Sequence, residues 1–286
     1  MLLHSFRHVQ GIGPARERSF WAANCRTWND LLSGSFDRSL IRIPDALLSY
    51  VKEAIRSDLD AFDRRDLEAL ASSFRQRDHW RFYRHFSERA VFCDIETTGT
   101  DPASSLVTVI GLYVPGEGPR VFIDGFNLDR FPETLARFEI LVTFNGSSFD
   151  VPFLKRAFPD LRLPPAHIDL RWLCREIDLK GGLKQIEKSI GLARHEDVKG
   201  FSGAEAVVLW QRFIRHHDPS SLRLLVRYNL EDTVNLERLL LHCINRMYAR
   251  HPFLGLDALA EEASYPACGI DPDVLIDGAC RDGGFS

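Results

Sequence analysis

At 286 residues and 45% apolar, the chain is long enough to bury a sizeable core, and no apolar run approaches the roughly 18 residues of a membrane span. The formal net charge of −4 argues against simple polyanion binding, but from His251 onward seven acids face one base, which leaves the rest of the chain at +2. The start, Met1 to His8, is broken by His and Arg too early for a signal peptide, and the six cysteines form no C-x-x-C pair, so reduced thiols in a cytoplasmic protein are expected instead of a disulfide or zinc framework.

Residues 1–88 read as a mostly helical region. Within it, His8-Val-Gln-Gly11-Ile-Gly13-Pro resembles the hairpin of a helix-hairpin-helix module spanning 5–34. Gly11 and Gly13 would let backbone amides approach a phosphate; the plainer reading is a glycine turn that opens a packed helix. After Pro44-Asp45, apolar residues Ala46, Leu47, Leu48, Val51 and Ile55 fall at helical spacing, and a second helix is expected across Leu59–Phe74. Arg75–Arg89 interleaves arginines with Trp80, Phe82, Tyr83 and Phe86, either as a single-strand groove or as core aromatics with solvated arginines.

From Ala90 the pattern turns to strands. Ala90–Ile95, Leu106–Val114, Arg120–Asp124 and Ile140–Phe144 are expected strands, the second and third joined as a hairpin by Pro115-Gly-Glu-Gly118. Short helices are expected at Phe131–Phe138 and Val151–Phe158, and a short strand at His167–Leu170. Helices then return at Leu183–Ile190, after Ser202 with Glu205 completing a capping box, and from Asp218-Pro219 to about Met247. This order predicts an α/β fold over 89–250, a sheet covered by helices on both faces. The acidic tail 251–286 shows no period, and solvated disorder is expected there; a tail lying over a binding groove is the alternative.

Three segments carry acids suited to metal chemistry. Asp94 and Glu96 end a strand two residues apart, so they share a face, and each would raise the other's pKa unless a cation neutralised them. Thr97-Thr98-Gly99 then turns the chain, leaving backbone amides nearby. Asn145-Gly-Ser-Ser-Phe149-Asp150 follows another strand; alone, Asp150 reads as a helix N-cap and Asn145 as a turn former. Tyr228 and Asp232 lie four apart on a helix and share its face. Hard oxygen ligands of this kind suit Mg²⁺ or Mn²⁺.

In order and spacing, Asp94/Glu96, Asn145/Phe149/Asp150 and Tyr228/Asp232 resemble the three motifs of the DEDD (DnaQ-like) 3′–5′ exonucleases, a superfamily with a ribonuclease-H-like mixed sheet. Arg227 stands where the histidine subclass would need His, so the tyrosine (DEDDy) subclass is indicated. The likeness is closest to YprB-type ribonuclease-H-like proteins, over roughly 90–240, including His167-Ile-Asp-Leu170 and Gly182-Leu-Lys-Gln-Ile-Glu187. Thr100 stands where many relatives carry Leu. The resemblance implies two divalent cations, Mg²⁺ or Mn²⁺, roughly 3.5–4 Å apart. It assigns them to Asp94, Glu96 and Asp232, with Asp150 binding directly or through water. Tyr228 would orient the attacking water, since a phenol is largely protonated at neutral pH.

The implied partner is a 3′ end of DNA or RNA, with no organic cofactor and no membrane. Thr97, Thr98, Asn145 and Phe149 would touch the strand at the site. Lys184 and Lys188 share a helical face that either tracks a phosphate backbone or is simply wet. Two other readings stand beside the exonuclease: a non-catalytic nucleic-acid-binding module on the same core, and a structure-dependent nuclease directed by the N-terminal region.

Overall fold

A computed structural model describes residues 1–261, 269 and 271–283. The N-terminal region forms helices α1 (Pro14–Ala22), α2 (Trp28–Ser33), α3 (Asp45–Asp63), α4 (Leu67–Ser73) and a short α5 (Tyr83–Phe86), with a 3-10 turn over Gln76–Phe82. The expected break before Leu59 does not exist. The first helix runs on to Asp63, Arg65 turns left-handed at φ 55°, and the Asp66 side chain caps α4 by accepting from the Ala69 amide at 3.0 Å. The cap decides the boundary, because an unsatisfied helix start is costly.

The sheet has five strands, β1 (Ala90–Thr97), β2 (Val107–Val114), β3 (Gly118–Ile123), β4 (Ile140–Thr143) and β5 (Ala166–Asp169), in the order β3-β2-β1-β4-β5. β2 and β3 form the expected antiparallel hairpin, and β1, β4 and β5 run parallel. Helices α6 (Phe131–Leu135), α7 (Asp150–Ala157), α8 (Leu170–Glu176), α9 (Leu183–Ile190), α10 (Gly203–His216) and α11 (Pro219–Ala249) complete the α/β body. No helix among the described residues is long and apolar enough to cross a membrane.

Alternation along β1 separates two cores. Val91, Cys93 and Ile95 pack with Leu141, Phe131 and Phe153 on the α6/α7 side. Ala90 and Phe92 pack with Ile140, Val142, Leu236 and Leu240 on the α11 side. Asp94 and Glu96 continue the second series, so the strand's period of two directs both under α11. That core also holds Leu2, Phe6, Phe20 and Trp28, so the N-terminal helices and this sheet face share one apolar interior.

The tail differs from expectation. Asp271 caps a helix, α12 (Pro272–Asp282), whose Leu275 and Ala279 join the core formed by Val121, Ile123 and Val226. Upstream, Asn245 holds Leu259 in a two-way hydrogen bond, at 2.9 and 2.7 Å. A polar composition concealed these anchors. The cavity lined by α12 borders Pro119–Phe122 and includes none of the acids at 94, 96, 150 or 232. Residues 262–268, with Cys268, and residues 270 and 284–286 lie outside the described residues; the described cysteines are free.

One glycine sets how closely α11 approaches the sheet. Gly111 on β2 pairs with Asp94, and a Cβ there would sit 2.3 Å from Asn229 Oδ1 and 2.4 Å from Thr233 Oγ1. Both are far inside van der Waals contact, so with a larger residue the Asn229 and Thr233 side chains, or α11 itself, must shift. Gly111→Ala is expected to destabilise the protein by about 1–3 kcal/mol, read as a shift in the denaturation midpoint; unchanged stability would show that the helix sits less tightly than described.

Candidate active site

Strand β1 and helix α11 bring three acids together. Asp94, Glu96 and Asp232 each offer a carboxylate oxygen, all within 4.8 Å of one another. Glu96 and Asp232 are buried and Asp94 is half-buried. Asp150 lies outside this trio but is also buried, and it shares with Asp94 a cavity of about 670 Å³. It is not the N-cap of α7, as its position had suggested: Phe149 holds that place and Asp150 is the first helical residue. Its carboxyl faces the end of the central strand β1, where it meets the Ile95 backbone.

The electrostatics follow from crowding and burial. Desolvation, with the neighbouring carboxylates, pushes Asp94 and Glu96 well above the ordinary carboxyl range. Desolvation also raises Asp150 from 3.8 to about 7, opposed by a favourable contact from the Ile95 backbone. Buried like charges of this kind favour proton uptake or cation binding.

Arg194 and Lys184 reach the cluster, and Arg171, Arg175 and Lys180 line the cavity that holds Asp94 and Asp150. Arg194 pairs with Asp232 and, at 2.6 Å, with Glu187; its Nη1 is buried with no protein acceptor. Burial raises Glu187 to about 7 even beside Arg194. Lys184 donates to the Tyr228 hydroxyl at 2.6 Å and to the Phe201 carbonyl, and its ammonium lies 4.2 Å from the Tyr228 ring centroid. Lys184 is therefore not on a wet face; its partner at i+4, Lys188, is exposed. Burial raises the Tyr228 phenol above its usual range, the nearby acids adding to the effect.

The supporting residues fix the acids. Asn229 Nδ2 donates to the Asp94 carboxylate at 3.0 Å and to its carbonyl at 3.1 Å. Asp169 accepts the amides of Asn145 (2.8 Å), Ser147 (3.1 Å) and Arg171 (3.1 Å), so it shapes the loop that leads into α7. Asn145 is left-handed at φ 64°, and its side-chain oxygen accepts from Arg171. Phe149 packs on Phe153, centroids 4.8 Å apart, and lines the acid cavity.

Other expected contacts are placed differently. Thr97 donates its hydroxyl to the Gly99 carbonyl at 2.6 Å. Thr98 binds Leu106 through both its hydroxyl and its amide, at 2.9 Å each, so its amide is not available near the site. Both threonine side chains brace the loop after β1. Gly11 and Gly13 line a separate cavity with Arg7, His8, Arg75 and Arg77, apart from the acids; Gly11 is left-handed and Gly13 caps α1. Sequence reasoning missed Arg194 and Gly111, while Asp169 and Glu187 lie inside stretches that carry the resemblance but were given no role. Asn229 lies inside the third motif but was not singled out.

The donor set fits a hard divalent cation. All its acceptors are oxygens, and Asp94, Glu96, Asp150 and Glu187 are pushed toward neutrality despite Arg194 and Lys184 beside the cluster and Arg171, Arg175 and Lys180 on the cavity wall.

Over residues 91–244, more than half of the chain, the sequence matches the RNase H superfamily. Similar solved structures include the family B DNA polymerase of Pyrobaculum calidifontis, with 18% identity and a TM-score of 0.41 over 56% of this chain and 24% of the polymerase chain, of which the present chain thus spans about a quarter. A nuclease in its apo form gives 17% identity and a TM-score of 0.40 over 73% of this chain and 83% of its own. The EXO domain of Aedes aegypti Nibbler gives 13% and 0.40 over 70% and 91%. No curated protein matches this chain.

These shifts carry a sign. A carboxyl whose pKa is higher in the folded than in the unfolded chain holds more protons when folded. Stability is then greatest below the unfolded value and is lost as pH rises through the folded one. For Asp150 the window runs from 3.8 to about 7, and Asp94 and Glu96 act in the same direction. In EDTA, the melting temperature should therefore contain a component that falls from about pH 4 to pH 8, and Mn²⁺ should restore stability most at the alkaline end. A Mn²⁺ effect that did not grow with pH would count against cation binding by these carboxyls.

Proposed function

The chain belongs to the RNase H superfamily, and from that premise we propose that it is a metal-dependent 3′–5′ exonuclease of the tyrosine (DEDDy), YprB-like type, acting on single-stranded ends of DNA or RNA. The observation that carries this reading is the convergence of Asp94, Glu96 and Asp232 within 4.8 Å at the junction of β1 and α11. Asp94, Glu96 and Asp232 would hold the cations, Asp150 completing the set from the same cavity. Mg²⁺ or Mn²⁺, when bound, supplies an acidified water and stabilises charge on the attacking and leaving oxygens.

The protein's own groups account for the rest of the chemistry. Tyr228 keeps its proton, because burial and the surrounding acids oppose a phenolate. Lys184 occupies the acceptor side of that hydroxyl, which leaves the O–H to donate to an attacking water or a phosphate oxygen. Arg194, held between Asp232 and Glu187, offsets part of the acids' charge. Asn229 prevents Asp94 from swinging toward solvent.

A non-catalytic nucleic-acid-binding module is the second reading. The Arg194–Asp232 ion pair favours it, because the guanidinium takes one oxygen of an acid that a cation would need.

Single- and double-stranded DNA and RNA labelled at either end, incubated with Mg²⁺ or Mn²⁺, separate the two. The exonuclease reading expects stepwise release of mononucleotides from the 3′ end, abolished by EDTA. Asp94→Asn and Asp232→Asn should each cost more than about 100-fold, beyond the 10–100-fold typical of a supporting partner. Tyr228→Phe should cost about 100-fold through lost positioning, with strand binding retained. Full activity in either Asn variant, or no hydrolysis of any strand by the wild type, would leave the binding module as the better account.

A further inference from the structure

A second cavity adjoins the acid pocket and holds none of Asp94, Glu96, Asp150 and Asp232. It holds about 790 Å³ and lies between the Arg75–Arg77 segment and helix α8. We propose that this groove binds single-stranded nucleic acid outside the acid pocket, with a base stacked on Trp172 and the phosphates beside Arg75, Arg77 and Arg175. The proposal rests on the reading of the acid pocket as the place where a strand ends, and it adds where the rest of the strand lies.

Continuity is the first support. Arg175 lines both the acid pocket and this groove. Arg75 and Arg77 line both this groove and the cavity at the Gly11–Gly13 turn. A strand leaving the acids thus has an open, cationic course along one side of the molecule.

The stacking platform is the second. Trp172 is 51% exposed on α8, while Trp80, Phe82, Tyr83 and Phe86 are all buried. The Arg175 guanidinium lies 5.1 Å from the Trp172 ring centroid, which holds the indole and adds positive charge to any stack. An exposed aromatic flanked by arginines binds bases of any sequence, because every base has a π-face.

Charge and rigidity are the third. Of the acids in the wall, Asp169 is turned onto three backbone amides, which leaves Glu176 against three arginines. Gln76 ties the two walls together, donating to Ser147 Oγ at 3.1 Å and meeting His167 Nδ1 at 2.8 Å. The groove is therefore built before any ligand arrives. An acidic peptide would also suit the arginines, but it would use neither the indole face nor the link to the acid pocket.

The full-length chain is tested in two arms. In EDTA, anisotropy of a labelled single strand of roughly 12 nucleotides, DNA and RNA in parallel, gives Kd as a function of salt. Trp172→Ala should weaken binding about 10-fold and Trp172→Phe much less, because a ring is kept. Arg75→Glu with Arg77→Glu should weaken it and flatten the salt dependence. With Mn²⁺, turnover of a strand of roughly 3 nucleotides, too short to span the groove, should be unchanged in these variants, while KM rises for the longer strand. Equal melting temperatures would show that the half-exposed position tolerates the change.

Variants that bind the long strand within about twofold of wild type, with the same salt slope, would overturn the groove even if hydrolysis were normal. Uptake of a poly-glutamate peptide in place of any strand would overturn it too. Loss of strand binding in Trp172→Ala, in a protein that hydrolyses nothing, would uphold the groove and defeat the nuclease reading instead.

Discussion

Helix α11 lies against the sheet closely enough for one Asn229 amide to reach both the carbonyl and the carboxylate of Asp94, and Gly111 leaves the space for it. Everything at the site depends on that approach. It brings Asp232, one turn on from Tyr228, over the strand end that carries Asp94 and Glu96. A shift of about 1 Å in α11 would change whether these oxygens can share a ligand.

The approach has an electrostatic cost. Carboxylates gathered under a helix lose hydration, and their mutual repulsion grows in the lower dielectric of the interior. Arg194 and Lys184 offset part of this, each from a different element: a loop after α9 and α9 itself. The offset is incomplete, as the upward shifts of Asp94, Glu96, Asp150 and Glu187 show. A site left short of positive charge favours a divalent ion, and a fully compensated one would bind it poorly. Arg194 therefore steadies the protein without metal and would compete with a cation for Asp232.

The strands, the hairpin and the acids were legible in the sequence for one physical reason: each is set by local period or spacing. Alternation placed Asp94 and Glu96 on one face, and the four-residue spacing did the same for Tyr228 and Asp232. Residues that act through tertiary approach left no such mark. Arg194 lies in a loop without period, Asp169 works through backbone amides distant in sequence, and Gly111 matters only once a helix is laid over it. Phe149, not Asp150, stands at the cap of α7, and the chain four residues earlier turns left-handed at Asn145. The Arg75–Arg89 stretch shows the same limit. Its aromatics went to the core, two of its arginines line the groove, and the exposed indole beside them comes from α8.

The N-terminal region changes composition at residue 88 without becoming a separate body. Its apolar residues share a core with β1, β4 and α11. His79 accepts the His167 amide at 3.0 Å, so the 3-10 turn over Gln76–Phe82 is bonded along β5. That same turn presents Arg77, and the residue before it is Arg75. The placement of the groove's cations is thus determined by the packing that stabilises the sheet edge, and the Asp169 carboxylate that shapes the acid-bearing loop stands at the end of the same strand. Any ligand held by Arg75 and Arg77 is consequently held in fixed register to Asp150, because the elements carrying both are joined through β5.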